Sequence, residues 1–577
     1  MKTPILGSSY VARSVNAADS RMVNLFPEVV PDGGKEPAFL QRCPGSRLIR
    51  TVGSGPIRGL WKFGANLYIA SGGSLYRSDE LFNTTYLGAI TGSGQVSMSD
   101  NGTQLFVACN PDAYIYNAST GVFSQITDPD FPGAVTVGYL DGYFVFNEPN
   151  SQRFWVTSLN DGTQVDPLDF ASAQGNPDNI VSLMVDHREV WLFGNNTIEV
   201  WYNAGAADFP LERIQGAFME TGCLAPYSVA KLDNSVFWLG ADARGNGIVY
   251  RNNGYNAVRV STHAVEWQIQ SYNFVDDAIA FTYQQDGHSF YVLTFPGANA
   301  TWVFDVSTGA WHERAFWENG QFTKHRAGTQ ANFAGQIVLG DNTENCLFTF
   351  DLNWYKDFAN PQRWLRSWRA LPTGQNSLKR TAQHSLQLDC ETGPSNQENL
   401  YVIQRTNLYN GIFQASSGTE PGNTLFKTVF NGRMLGDIND DGIINFRDYT
   451  IADDYLINET IPTYQPYPED LWQEWVKYIE NSMLYTMVKN FQLYSAYLKQ
   501  TSLETQVMLR WSDDGGHTWS NEHWASMGKI GEYGKRVIWR RLGMTTKLRD
   551  RVYEISGSDP VKIAIMGAEL TATPTSA

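Results

Sequence analysis

Residues 114–123 read YIYNASTGVF and residues 302–311 read WVFDVSTGAW. The two are copies of one hairpin. Each alternates aromatic and aliphatic residues into a polar turn that ends in Gly121 or Gly309, then resumes with an aromatic strand. Glycine there supplies the positive φ that such turns require.

Around these hairpins a second element recurs: an apolar strand, a short polar turn and another apolar strand. It reads IRGLWKFGANLYIASGG at 57–73, VSMSDNGTQLFVAC at 96–109, VTVGYLDGYFVFNE at 135–148 and VSLMVDHREVWLFGN at 181–195. Three further copies are SVAKLDNSVFWLGA at 228–241, AIAFTYQQDGHSFYVLT at 278–294 and AGTQANFAGQIVLGD at 327–341. Starts roughly 40 to 50 residues apart match the period of a four-stranded propeller blade. Seven copies predict a mainly β fold, a β-propeller of about seven blades over 57–393. A single β-sandwich with accidental self-similarity is the alternative.

Composition agrees with strands. Aromatics are 13% of the 577 residues, and 51 Gly and 24 Pro punctuate them, as expected of many short strands joined by turns. The net charge of −16 at pH 7 argues against a surface that grips nucleic acid, which needs clustered Lys and Arg. Five widely spaced cysteines without a CxxC pair read as reduced thiols in a chain folded in a cytosol. No apolar run suits a signal peptide or a membrane span.

Between 394 and 503 the texture changes to an insertion, predicted partly helical. Within it, GDINDDGIINFRD at 436–448 places Asp437, Asn439, Asp441, Asn445 and Asp448 at positions 1, 3, 5, 9 and 12 of a calcium loop. Gly442 falls at position 6, and Ile443 at position 7, where such loops coordinate through a backbone carbonyl. Hard oxygen ligands at this spacing suit Ca2+. An Asx-rich turn is the plain alternative. The segment also resembles one calcium repeat of a bacterial dockerin, without the second repeat that dockerins carry. A local staple is therefore expected, in which Ca2+ neutralises Asp437, Asp441 and Asp448. Downstream, Pro468 and Glu469 open a predicted helix with Trp472, Val476, Ile479, Met483, Met487, Phe491, Tyr494 and Leu498 at steps of three and four. Its apolar surface fits either the core of the insertion or a subunit interface.

SDDGGHTWS at 512–520 matches the Asp-box, S-x-D-x-G-x-T-W, a turn found in sialidases and other propellers. Asp514 is placed to accept bonds from the turn's own amides, Gly516 to permit the reversal and Trp519 to pack back on the sheet. The motif does no catalysis. No HExxH, GxSxG or phosphate loop occurs, and no catalytic or cofactor-binding residues are nominated. The basic stretch Lys535, Arg536, Arg540, Arg541, Lys547, Arg549 and Arg551 reads either as outward strand residues with acidic neighbours or as an inter-subunit or DNA contact.

Both ends of the chain carry a family likeness. LGSSYVARSVNAADSRMVNLFPE at 6–28, CPG at 43–45, LQLDCETG at 386–393, the stretch 507–543 and LRDRVYEISGSDPVKIAIMGAEL at 548–570 resemble the packaged-DNA stabilisation family, the tail-hub or nozzle proteins of short-tailed bacteriophages. These motifs leave 394–503 outside. The resemblance implies 1–56 closing or flanking the propeller and 504–577 as a closing β region. It implies a non-enzymatic virion part, assembled in the host cytoplasm as a homo-oligomer of about six chains. Such a tube continues the portal and adaptor channel, carries fibres or spikes, retains packaged double-stranded DNA and passes it on ejection. A strongly acidic chain suits a lumen that lets DNA slide. The competing expectation is a carbohydrate-binding or sialidase-like propeller, on the strength of the Asp-box and the dockerin-like repeat.

Overall fold

The computed structural model describes residues 1–575 apart from 15–17, 32–33, 174, 177, 207, 243–244, 372–379, 530, 546–550 and the stretch 394–503. Within that stretch only the strand pair Val429–Phe430 and Arg433–Met434 is described.

Seven antiparallel sheets follow one another along the chain as blades. Blade 1 consists of Ile57–Phe63, Asn66–Ser71, Ser74–Ser78 and Thr84–Ala89. Blade 2 comprises Ser97–Asp100, Gln104–Ala108, Ala113–Asn117 and Val122–Gln125, and blade 3 Val137–Leu140, Tyr143–Asn147, Arg153–Val156 and Phe170–Ser172. Blade 4 is Ile180–Asp186, Glu189–Gly194, Ile198–Asn203 and Leu211–Met219. In blade 5 the strand Ser235–Asp242 pairs with both Gly222–Cys223 and Ala230–Leu232, then with Gly245–Asn253, which pairs with Asn256–Arg259. Blade 6 is Ile279–Gln285, His288–Phe295, Ala300–Asp305 and Ala310–Glu313.

Blade 7 takes three strands from Ala327–Phe333, Gln336–Asp341 and Cys346–Asp351, and its fourth from the other end of the chain, Gly45–Thr51. The register runs from Gly45 opposite Asp351 to Thr51 opposite Cys346.

The twin hairpins are the third and fourth strands of blades 2 and 6. Asn117 and Asp305 play the same part in both. The backbone carbonyl of each accepts from the turn glycine at 2.8 Å, Gly121 or Gly309, and the side chain accepts from the Ser119 or Ser307 amide at 2.9 Å.

Second strands such as Gln104–Ala108 are buried throughout, because each blade packs a neighbour on both faces. Apolar clusters fill all seven junctions. That between blades 2 and 3 gathers Phe106, Ile115, Phe144 and Trp155; that between blades 7 and 1 gathers Phe333, Leu347, Leu60 and Ile69. Each fully buried side chain of this kind contributes about 1.5–3 kcal/mol. The first and second strands of blades 3, 4, 5, 6 and 7 are joined by two residues that both take positive φ: Asp141-Gly142, His187-Arg188, Asp233-Asn234, Asp286-Gly287 and Ala334-Gly335. That is the backbone of a tight hairpin whose twist matches its strands.

Two layers form a sandwich from both ends of the chain, one a continuation of a blade's sheet and one a sheet of its own. One extends blade 6: Ala310–Glu313 pairs in parallel with Met22–Val23, and Trp364–Arg369, Val552–Gly557, Gln506–Ser512 and His523–Ser526 follow. The other runs Leu25–Val29, Ala38–Arg42, Ala564–Pro574, Thr381–Cys390 and Val537–Arg540. Trp368, Tyr553, Leu509, Leu386, Trp539 and Leu570 are buried. Polar ties join the two layers: Tyr553 donates to Gln383 Oε1, and Trp539 Nε1 to the His523 carbonyl at 2.9 Å.

The propeller and sandwich make one compact unit, and Glu391–Gln506 with Ser526–Arg536 makes a second. In the second unit, Gly393 donates to the Met527 carbonyl at 2.8 Å, and Thr392 Oγ1 to the Tyr533 carbonyl at 2.9 Å.

Candidate functional site

The first strand of every blade lines an axial cavity of about 640 Å³, with Trp61, Met98, Tyr139, Met184, Lys231 and Gln330 among its walls. Asp100 and Lys231 are its only charged lining residues among those described. Asp100 is held by Trp61 Nε1 at 2.9 Å. At one mouth, Lys231 meets Asp186 at 2.5 Å and His187 Nδ1 meets the same carboxylate at 2.7 Å. These bonds hold Asp186 below the usual carboxylate range although its burial acts the other way.

The mouth is laced by contacts between blades. Arg188 places Nη2 at 2.8 Å from both oxygens of Asp141 on blade 3, while His187 Nε2 lies 2.7 Å from Asn234 Oδ1 on blade 5. The pairing with Asp186 raises the His187 pKa.

Sequence-nominated features fall in several places. Asp437, Asn439, Asp441, Ile443, Asn445 and Asp448 lie outside the described residues, as does the apolar helix expected after Pro468. The Asp-box is described, and it sits in the sandwich sheet rather than in a blade. Asp514 Oδ1 accepts from the His517 and Thr518 amides at 3.0 and 2.9 Å, and its other oxygen from Thr518 Oγ1 at 2.6 Å. Gly515 and Gly516 take φ of 79° and 103° to make the reversal, and Trp519 lies under the Arg510 guanidinium, 4.7 Å from its ring centroid. The Ser512 hydroxyl, which donates to Asp514 Oδ1 at 2.6 Å, together with these bonds holds the Asp514 carboxyl well below its usual range.

The basic stretch divides. Arg551 is structural: its side chain is 1% exposed, it meets Asp513 at 2.6 Å and donates to the Leu542 carbonyl at 2.7 Å. Lys535 meets Glu504 at 3.3 Å. Arg540 and Arg541 are exposed and line a surface hollow with His384 and Met544. Lys547 and Arg549 lie outside the described residues.

Sequence reasoning missed the arginines that join segments. Arg42 is fully buried and gives its five donors to Gln362 Oε1 and to the carbonyls of Asp559, Val561, Tyr355 and Gln362. Burial lowers its pKa to about 10. Arg366, also buried, donates to the Ile5 and Ser20 carbonyls at 2.7 and 3.1 Å. An arginine in a strand reads as a solvent-facing residue, and no local pattern marks these two as internal.

Comparison with known proteins gives a consistent picture. A family model described as "Bacteriophage P22 Gp10, beta-propeller" matches residues 1–355, and one described as "Bacteriophage P22 Gp10, beta-sandwich" matches residues 471–573. The second match begins at residue 471, so the likeness includes the last part of the stretch that the terminal motifs left outside. The tail hub protein gp10 of Salmonella phage P22 is 24% identical over 301 residues, which cover 48% of this chain and 61% of that relative. The match thus spans less than two thirds of the relative's length. Solved structures similar to the chain include the β-propeller domain of Cps50 (Swd1) from Myceliophteria thermophila, at 8% identity, 53% of this chain, 100% of that one and a TM-score of 0.35. The N-terminal domain of Nup159 is another, at 11% identity, 57% of this chain, 98% of that one and a TM-score of 0.35.

Proposed function

As this chain belongs to the bacteriophage P22 Gp10 propeller family, we propose that it is a structural component of a short phage tail, a tail hub or nozzle. The observation that carries this reading is the pair of family matches, propeller first and sandwich second, on a chain whose two modules share one sheet.

In this reading several copies, about six, form a tube below the portal and adaptor rings that bears the fibres or spikes. The DNA retained in the particle passes along the tube between subunits. The net charge of −16 supports a wall with little hold on phosphate. The protein acts by holding shape, not by catalysis, and the Asp-box supports this because its Asp514 is occupied by its own turn. A calcium ion on Asp437, Asn439, Asp441, Ile443, Asn445 and Asp448 would staple the 394–503 segment.

The test is placement. Gold-labelled antibodies against the purified protein should decorate one end of intact particles, and native mass spectrometry should find a closed ring of about six chains. A chain that stays monomeric, is absent from virions and cleaves a fluorogenic glycoside would establish the sialidase-like alternative instead.

A further inference from the structure

Three histidines lie inside the joint between blade 6, blade 7 and the sandwich strand Leu25–Val29. Phe26 of that strand packs with its ring centroid 5.0 Å from His288, 5.4 Å from Phe290 and 6.0 Å from His312. His312 is fully buried, and neither ring nitrogen has a hydrogen-bond partner. His325 is 1% exposed; its Nδ1 accepts from the Ala327 amide at 3.1 Å and its Nε2 has no partner.

We propose that this cluster is an acid-operated latch: protonation of His312 frees the Leu25–Val29 strand, and the sandwich edge with it, from blade 6 while the distant blades stay folded. The charged groups around the ring decide the direction. On its own strand Glu313 is taken by Arg21 at 2.8 Å. Next to it, Arg314 is buried, donates to the Pro44 carbonyl at 2.6 Å and covers the Phe350 ring at 4.1 Å. From the third strand of blade 6 comes Asp305, which His288 already engages at 2.8 Å and which also accepts from Thr308 Oγ1 and the Ser307 amide. Glu28 on the packed strand and Asp286 in the turn favour the charged form of His288. A proton on His312 therefore meets two cations, Arg314 and protonated His288, and no free acceptor.

Burial and the Arg314 charge lower His312 to about 3, against about 6.5 for a histidine in water. The opened form binds the proton first. Between those values stability must fall as pH falls, by about tenfold in the opening equilibrium per pH unit for one proton. His325, lowered by burial and by Arg314 and Arg326, adds in the same direction if opening reaches blade 7. Asp357 opposes it: burial raises this carboxyl to about 6, so the closed form takes up a proton there as pH falls towards the ordinary carboxylate range.

Hydrogen exchange on the full chain from pH 7 to 4, corrected for intrinsic rates, reads the latch. Amides of Leu25–Val29 and Ala38–Arg42 should lose protection as pH falls below 6, by up to about tenfold per pH unit where Asp357 stays buried in the opened form and by less where it is exposed, while Gln104–Ala108 and Glu189–Gly194 keep theirs. His312→Phe should flatten that dependence. An unchanged slope in a folded His312→Phe, or simultaneous loss in every blade of the wild type, would overturn the latch. Should His312→Phe not fold, carbon-13 NMR of the wild-type ring decides. A His312 that stays neutral in the closed form below pH 5 while Leu25–Val29 loses protection upholds the latch, and one that titrates near 6.5, or stays neutral with that protection intact, sinks it.

Discussion

Arg47 and Asp351, 304 positions apart in the chain, meet at 2.7 Å across the antiparallel strands that complete blade 7. The pair marks the closure of the ring but does not supply its strength. The Arg47 side chain is 59% exposed, and an exposed pair of this kind is worth about 0–1 kcal/mol. What holds the closure is register and the apolar cluster behind it, Val52, Ile57, Leu60, Phe333 and Leu347.

Gly45 tests the register. A Cβ there would lie 2.3 Å from the Lys356 carbonyl oxygen and 2.4 Å from that of Trp354, both backbone atoms that cannot swing aside. Gly45→Val should destabilise the first unit by roughly 3 kcal/mol, whereas Arg47→Ala should cost under about 1 kcal/mol. Urea unfolding followed by tryptophan fluorescence distinguishes the two, and equal midpoints would show that the closing strand contributes little.

Arg42 tests the tie between the chain's two ends. Arg42→Met keeps much of the volume but leaves the carbonyls of Val561 and Tyr355, among others, without a donor. Each buried group left unsatisfied costs about 1–3 kcal/mol, so a total of about 3 kcal/mol or more is expected. Differential scanning calorimetry should show a clearly lower Tm, and an unchanged Tm would mean that water replaces the guanidinium.

Asp514 tests the Asp-box. Asp514→Ala removes the acceptor of the His517 and Thr518 amides, so their exchange should quicken while Val552–Gly557 keeps its protection. The sign with pH follows from the lowered pKa: the carboxylate's contribution is complete above the usual range and is lost only as pH falls through the depressed value. The turn should therefore stay protected to mildly acid pH. Early loss near pH 4 would contradict this.

The calcium loop, outside the described residues, makes its own prediction. Asp437→Ala with Asp441→Ala removes two charged ligands, and protease sensitivity should rise around 436–448. Chelation of the wild type should copy the variant, with little change in unfolding of the propeller. Calorimetry showing no uptake at millimolar Ca2+ would reduce the motif to an Asx-rich turn.

The sequence made the blades legible because each repeats locally: an apolar strand, a turn such as Asp141-Gly142 or Asp286-Gly287, and another strand, all within about twenty residues. The twin hairpins were readable for the same reason. The parts that join the modules were not. Met22–Val23 is too short to show a period, and nothing near Gly45–Thr51 tells that its partner is Cys346–Asp351. The Asp-box turn is legible down to its acceptor and to its place in the closing region 504–577, but the strands that its own sheet joins it to are not, since a hairpin motif carries no information about its wider pairing. Within the basic stretch, charge alone could not separate buried Arg551 from exposed Arg540.

The placement of Met22–Thr51 also sets an order of events during synthesis. These residues leave the ribosome early, yet Met22–Val23 needs blade 6, Gly45–Thr51 needs Cys346–Asp351, and Ala38–Arg42 needs Ala564–Ile565. At about 5–20 residues per second, the 304 positions between Arg47 and Asp351 correspond to a wait of roughly 15–60 s. Through that interval the nascent chain carries unpaired edge strands that can join those of another chain. Ribosomes translating neighbouring copies on one message would then hold mutually adhesive segments close together, so the yield of this protein should depend on how far apart those ribosomes are spaced and on chaperones that cover Met22–Thr51.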